Sequence, residues 1–245
     1  MNTLAETASA RSQLFQLVAL GFTHPVAAFH RVLADASYCQ ALVNAAGAAH
    51  CAGHFEWDRE TGDFSDFSDF SDFEAAYIYL FQMGKGGKPL VPLNAGDHED
   101  MAQGQGRPEF LLEYSGWYQH FGLKTNQQGD ANELPDHLAC QLEFMAWLAH
   151  LEAGADDASE LQQGYQRAQH DFLRRHLQPF LETLVAALQQ RAGQPRCNPF
   201  YLSLAADTLQ AIDAMLEQLD AVLIASSATD TSDDPEQIAT VNLWG

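Results

Sequence analysis

Residues 133 to 151, Glu-Leu-Pro-Asp-His-Leu-Ala-Cys-Gln-Leu-Glu-Phe-Met-Ala-Trp-Leu-Ala-His-Leu, decide how the rest of the chain is read. Pro135 suits the first turn of a helix, where its missing N–H costs nothing, and Asp136 sets negative charge beside the positive end of the helix dipole. A helix is therefore expected to start here. Leu138, Leu142, Met145, Leu148 and Leu151 recur at spacings of three and four and form one apolar stripe, with Cys140, Phe144 and Trp147 on a neighbouring face. Two apolar faces describe a central helix, buried along its length. Its first turn nevertheless carries Glu133, Asp136 and His137, which are costly to desolvate unless paired, so that turn is expected to reach the surface.

Upstream, a helix starting at Pro108 carries Phe110, Leu111, Tyr114, Trp117, Tyr118 and Phe121 and stops at Gly122. The polar run 124–132 connects it to the central helix. Residues 84–106 hold six glycines and two prolines and read as a loop. Before it, Glu74 to Phe81 reads as helix, with Ser71 and Glu74 spaced as a capping box. Residues 63–73 repeat Asp-Phe-Ser at a period of three, which fits neither helix nor strand. Two readings stay open there: an acidic insertion whose last unit caps a helix, or a row of exposed phenylalanines that docks a partner. Leu4 to Phe22 reads as a buried opening helix, and the alanine-rich stretch 26–49 as one long helix or two short ones.

Downstream, helices are expected at 157–176 and 178–191, the second introduced by Pro179. A further one starts at the Asn198-Pro199 cap, and its apolar face runs from Tyr201 to Val222. Residues 225–237 turn to Ser, Thr, Asp and Glu and are expected to be poorly ordered; the apolar coda Val241 to Gly245 either docks back or stands as a sticky end. No alternating apolar/polar run bounded by turn signals is present. The expected fold is all-α: a single-domain bundle of roughly ten helices over residues 1–224, with long loops at 63–73 and 84–106 and an acidic, flexible tail at 225–245.

At 245 residues, with 47% apolar and 18% charged side chains, the chain has ample material for one large core. Thirty-three acids against twelve bases give a formal charge of −21, which would repel nucleic-acid phosphates and anionic lipid and attract a cationic peptide. Cys39, Cys51, Cys140 and Cys197 are scattered with no C-x-x-C pair and read as reduced thiols. No basic run with a cleavage site opens the chain, and no stretch reaches the length of a membrane span. The expectation is a soluble, cytoplasmic protein.

Chemistry-bearing motifs are sparse. Gly84 to Pro89 lacks the glycine, the Ser/Thr and the preceding strand of a phosphate loop. His50 and His54, four apart, could share a metal, but Gly53 weakens the helix and no second ligand pair accompanies them. His137 beside Asp136, or with Glu143, could serve as an acid/base pair, although adjacent helical side chains diverge by about 100°. A metal-binding or acid/base helical enzyme built on His50/His54 or His137/Glu143 is thus the alternative class. Against it stands a cleft lined by Tyr114, Trp117, Tyr118 and Phe121, with Glu133 and Asp136 at its rim, able to take an apolar peptide flanked by arginines. The same aromatic spacing is equally that of an ordinary core.

Pro135-Asp136-His137 followed by Leu-x-x-x-Leu-Glu-Phe-Met resembles the signature helix of the redox-enzyme maturation chaperones, the TorD, DmsD and NarJ superfamily. Glu113-Tyr114 with Trp117-Tyr118 leading into Phe121-Gly122-Leu123 is similar to the helix that precedes that signature, and Glu74 to Phe81 to the family's segment ending in Leu-Phe. Asn198 to Tyr201 adds weaker support, and the likeness covers about Glu74 to Leu219. The Asp-Phe-Ser repeat and acidic tail depart from the pattern and leave the branch open, the DMSO reductase type included. The resemblance implies a cytoplasmic, all-α, non-enzymatic chaperone without cofactor. Its partner would be the catalytic subunit of a molybdenum-cofactor oxidoreductase, or that subunit's twin-arginine leader, held until cofactor insertion and export. It implicates Pro135, Asp136 and His137 in client recognition, with the 84–106 loop as a further contact, and a monomer or a segment-swapped dimer.

Overall fold

The computed structural model describes residues 3–51, 55, 69–84, 86–102, 104–123, 134–157 and 159–230. Its helices are α1 (Leu4–Phe22), α2 (Ala27–Ala34), α3 (Ser37–Ala48), α4 (Phe70–Tyr77), α5 (Glu99–Ala102), α6 (Arg107–His120), α7 (Leu138–Ala153), α8 (Glu160–Phe172), α9 (Gln178–Gln189) and α10 (Pro199–Asp230). No strand is present among the described residues; Asn94 and His137 form one isolated antiparallel bridge. The fold is all-α, as expected.

Helix α1 packs along α7 and also touches α3 and α10; α7 also carries α8, and α9 packs on α10. Gly21 permits the close approach at the end of α1, because a Cβ there would collide with Leu204 and the Tyr38 hydroxyl. That hydroxyl donates to the Leu17 carbonyl at 2.8 Å. One continuous core holds two aromatic groups. In the first, Phe73 stacks on Tyr201 with centroids 5.8 Å apart, beside Phe22, Phe29 and Phe81. In the second, Phe144 of α7 meets Tyr118 of α6 at 4.9 Å and Phe172 of α8 at 4.8 Å.

Polar groups also cross the core. Arg11 of α1 reaches both carboxylate oxygens of Glu152 on α7, at 2.8 and 2.7 Å, and Gln166 and Gln169 of α8 donate to the same oxygens at 2.8 and 2.7 Å. All four side chains are buried. Three helices are thereby fixed in register by one carboxylate, in a medium where an unpaired charge would be expensive.

Several local expectations are corrected. The central helix starts at Leu138 rather than Pro135, because the backbone of 136–138 pairs instead with 93–95: the Ala95 N–H donates to the Asp136 carbonyl and the Leu138 N–H to the Leu93 carbonyl. The cap of α4 is Asp69, which accepts from the Ser71 N–H, so Ser71 and Glu74 form no capping box; Glu74 pairs with His24. Phe73, from the last repeat unit, is in the core, while 63–68 lie outside the described residues. Of the two readings of 26–49, two short helices hold, broken at Ala36 with φ 63°.

The helices expected at 157–176 and 178–191 are one continuous rod, α8 and α9 joined by a π turn at Leu173–Leu177 that turns His176 inward. That turn's Arg174 pairs with Asp220 of α10 and Arg175 with Glu113 of α6. Helix α10 runs on to Asp230 instead of ending near 224, and the remainder of the acidic tail lies outside the described residues. The 84–106 loop carries a 3-10 turn at Ala95–Asp97 and the short α5, and it is anchored by the buried side chains of Val91, Leu93 and Ala95. Among the described residues no single helix is long and apolar enough to cross a membrane.

Candidate functional site

The turn that enters α7 is built from residues 134–138. Leu134 is exposed, Pro135 and His137 are half-buried, and Asp136 is enclosed. The Leu134 carbonyl accepts from the His137 N–H at 2.9 Å, which closes the turn. His137 is the N-cap of α7: its Nδ1 accepts from the Ala139 N–H at 3.2 Å, so the ring carries its proton on Nε2. A half-buried imidazole thus performs the task usually given to Ser, Thr, Asp or Asn.

Two neighbours fix the turn from beneath. The Tyr118 hydroxyl of α6 donates to the Pro135 carbonyl at 2.6 Å, and the Gln141 amide of α7 donates to the Asp136 carbonyl at 2.9 Å. Trp147 donates through Nε1 to the Phe121 carbonyl at 3.0 Å, which ties the end of α6 to the middle of α7. Burial pushes the Tyr118 phenol well above its ordinary range, and burial followed by the Asp136 and Glu113 carboxylates does the same to Tyr114. Both are neutral hydroxyls at any physiological pH.

The Asp136 carboxylate has its own cradle. Oδ2 accepts from the Gly96 N–H at 2.8 Å and lies 2.9 Å from Arg107 Nη1; Oδ1 accepts from Asn94 Nδ2 at 3.2 Å and Arg107 Nη2 at 3.4 Å. Arg107 also stands 3.5 Å from Asp97. Asp136 thus does not sit on a rim, where it was expected. The paired 93–95 and 136–138 backbones aim it inward, and Arg107 with the Gly96 amide offsets its desolvation.

Of the two readings of the aromatic set, the core reading holds for Tyr114, Trp117 and Tyr118, which are buried against Phe144, Phe172 and His176 and so do not line an open cleft. Phe121 is half-buried and stacks on Trp117. Glu133 lies outside the described residues. Sequence reasoning missed Asn94, Gly96, Arg107 and Gln141. Only Arg107 left a signal: a cation in the first turn of a helix opposes the dipole, which calls for a carboxylate nearby.

Behind the aromatic layer, His176 Nε2 is 3.5 Å from Glu113, yet burial, and after it Arg175, lowers the His176 pKa to about 4. The ring is neutral at pH 7. Of the alternative chemistry, His50 ends α3 at φ 61° and His54 lies outside the described residues. No group of three metal-ligating side chains is assembled among the described residues. His137 Nδ1 is committed to its cap, and Glu143 is exposed on α7.

Residues 55–186 match the family described as nitrate reductase delta subunit. The chain is 40% identical over 242 residues, 97% of its length and 93% of the relative's, to the dimethyl sulfide dehydrogenase assembly chaperone protein of Rhodovulum sulfidophilum. It is 37% identical over 131 residues, 54% of each chain, to the perchlorate reductase assembly chaperone protein of Dechloromonas aromatica (strain RCB). A third relative, the selenate reductase assembly chaperone protein of Thauera selenatis, is 38% identical over 108 residues, 44% of this chain and 53% of that one. No solved structure matches.

Proposed function

Since the chain belongs to the nitrate reductase delta subunit family, within the TorD/DmsD/NarJ superfamily, we propose that it is an assembly chaperone and not an enzyme. It binds the immature catalytic subunit of a molybdenum-cofactor oxidoreductase and holds it until the cofactor is inserted and the subunit is assembled or exported. The observation that carries this reading is the 40% identity, spread over 97% of the chain, to a protein that is itself an assembly chaperone.

The client segment in this reading is the subunit's N-terminal stretch or twin-arginine leader, an apolar run beside arginines. It meets the molecule in the cytoplasm, where a formal charge of −21 draws it in. Contact falls at the turn entering α7: Leu134 offers apolar surface, Pro135 and His137 a shaped edge, and Phe121 a half-buried aromatic margin. Tyr118 acts one layer back, holding the turn through the Pro135 carbonyl, with Tyr114 and Trp117 packed in the core rather than touching the client. The Gly-rich 84–106 loop, whose Asn94 and Gly96 cradle Asp136, serves as a further contact.

The test is a pull-down with the tagged full-length chain from its native cytoplasm at low salt, with co-purifying proteins identified by mass. A single large oxidoreductase catalytic subunit, captured without its molybdenum cofactor, is the expected result. Recovery of that subunit only in its mature, cofactor-loaded form, or of no oxidoreductase subunit even after cross-linking, would overturn the proposal.

A further inference from the structure

Asp136 is fully enclosed, yet the guanidinium that neutralises it belongs to a side chain one-third exposed, and that side chain stands at the unfavourable end of a helix dipole. The rest of the cradle does not depend on Arg107. The Gly96 N–H and Asn94 amide are presented by a loop whose Val91, Leu93 and Ala95 are buried and whose backbone is paired with 136–138. Gly96 contributes by what it lacks, since a Cβ there would collide with the Arg107 guanidinium. Asp97, about half exposed, supplies a second carboxylate on the outer side. Two carboxylates, one inner and one outer, with a bare backbone between them make a slot fitted to a planar, forked cation and poorly fitted to an ammonium.

We propose that the Asp136–Gly96–Asp97 slot is a guanidinium site, filled in cis by Arg107 and open to exchange with an arginine of the client segment. The client part of this inference rests on the chaperone reading above. Exchange replaces one guanidinium by another, so Asp136 is never left as a bare buried charge, the state that would block simple opening. Arg107 then acts as an internal competitor: it keeps the slot closed to lysine-bearing peptides and lowers the apparent affinity for arginine-bearing ones by the fraction of time it is in place.

The experiment uses the full chain as wild type, Arg107→Ala, Arg107→Gln and the double variant Arg107→Ala/Asp136→Asn. Ethylguanidinium at sub-denaturing concentration is expected to raise the Tm of Arg107→Ala well beyond the effect of ethylammonium, and to give neither the wild type nor the double variant that selective rise. A synthetic peptide with paired arginines before an apolar run should bind Arg107→Gln about tenfold more tightly than wild type, and its paired-lysine counterpart should show no such gain. Equal responses of Arg107→Ala to the two cations would overturn the slot, and an arginine peptide bound equally by wild type and Arg107→Gln would overturn the exchange. Should Arg107→Ala fold poorly, Arg107→Gln carries both readouts. Selective ethylguanidinium rescue without arginine-peptide binding in any variant would leave the guanidinium site standing and overturn both the exchange and the leader-binding part of the chaperone reading.

Discussion

Glu152 serves two helices at once, which makes it the most consequential single side chain of the core. Its carboxylate takes Arg11 from α1 and two glutamines from α8, all buried. Glu152→Ala strands the Arg11 charge and should cost about 3–5 kcal/mol in urea unfolding, whereas Arg11→Met combined with Glu152→Leu should cost far less, because no uncompensated charge remains. Arg11 and Glu152 stand 141 residues apart, and no local pattern links them, so the pair was not legible in the sequence. His176 gives a second residue-scale prediction. Its folded pKa of about 4 lies below the ordinary 6.5, so the folded state prefers the neutral ring. Its contribution is complete above pH 6.5 and is lost as pH falls toward 4, on the order of 3 kcal/mol in all. Comparison of wild type with His176→Phe by unfolding at pH 7, 5.5 and 4 checks this: the variant should lose less stability on acidification across that window.

At the scale of the element, α7 shows which part of a helix can be read from its residues and which cannot. Its apolar stripes fixed its existence and central position, because periodicity and burial are two expressions of one geometry. Its start was misplaced by three residues because Pro135 and Asp136 are equally good inside a first turn and in the turn before a cap; the decision came from residues 93–95, a distant partner. His137 as cap went unrecognised because imidazole is a rare choice for it. His137→Ala should lower stability by about 1 kcal/mol and His137→Asn should restore most of it, since the amide oxygen can accept the same backbone N–H. Urea midpoints of the three chains decide the matter. Gly96→Ala tests the loop that presses on this turn: the added Cβ meets the Arg107 guanidinium, so amide exchange at Ala95 and Leu138 should speed up while α10 keeps its protection.

For the whole molecule, the all-α bundle was legible because each segment repeats at three and four, and the resemblance to the chaperone superfamily was legible because its motif is local, Pro135 to Met145. An aromatic helix, by contrast, shows the same spacing whether it lines a cleft or fills a core, and Tyr114, Trp117 and Tyr118 fill the core. What remains for recognition at this scale is the field of the entire chain. With 33 acids and 12 bases, the formal charge of −21 is spread beyond any one turn, so it acts on the approach of a cationic segment rather than on its final fit. Screening shortens the reach of that field to about 8 Å at physiological ionic strength. The association rate of an arginine-bearing client peptide should therefore fall roughly tenfold between low and physiological salt, while its dissociation rate changes much less. Stopped-flow mixing at several salt concentrations separates the two rates. A salt effect carried by dissociation would instead assign the electrostatics to a short-range pair such as the Asp136 slot, and long-range steering by the acidic chain would be discarded.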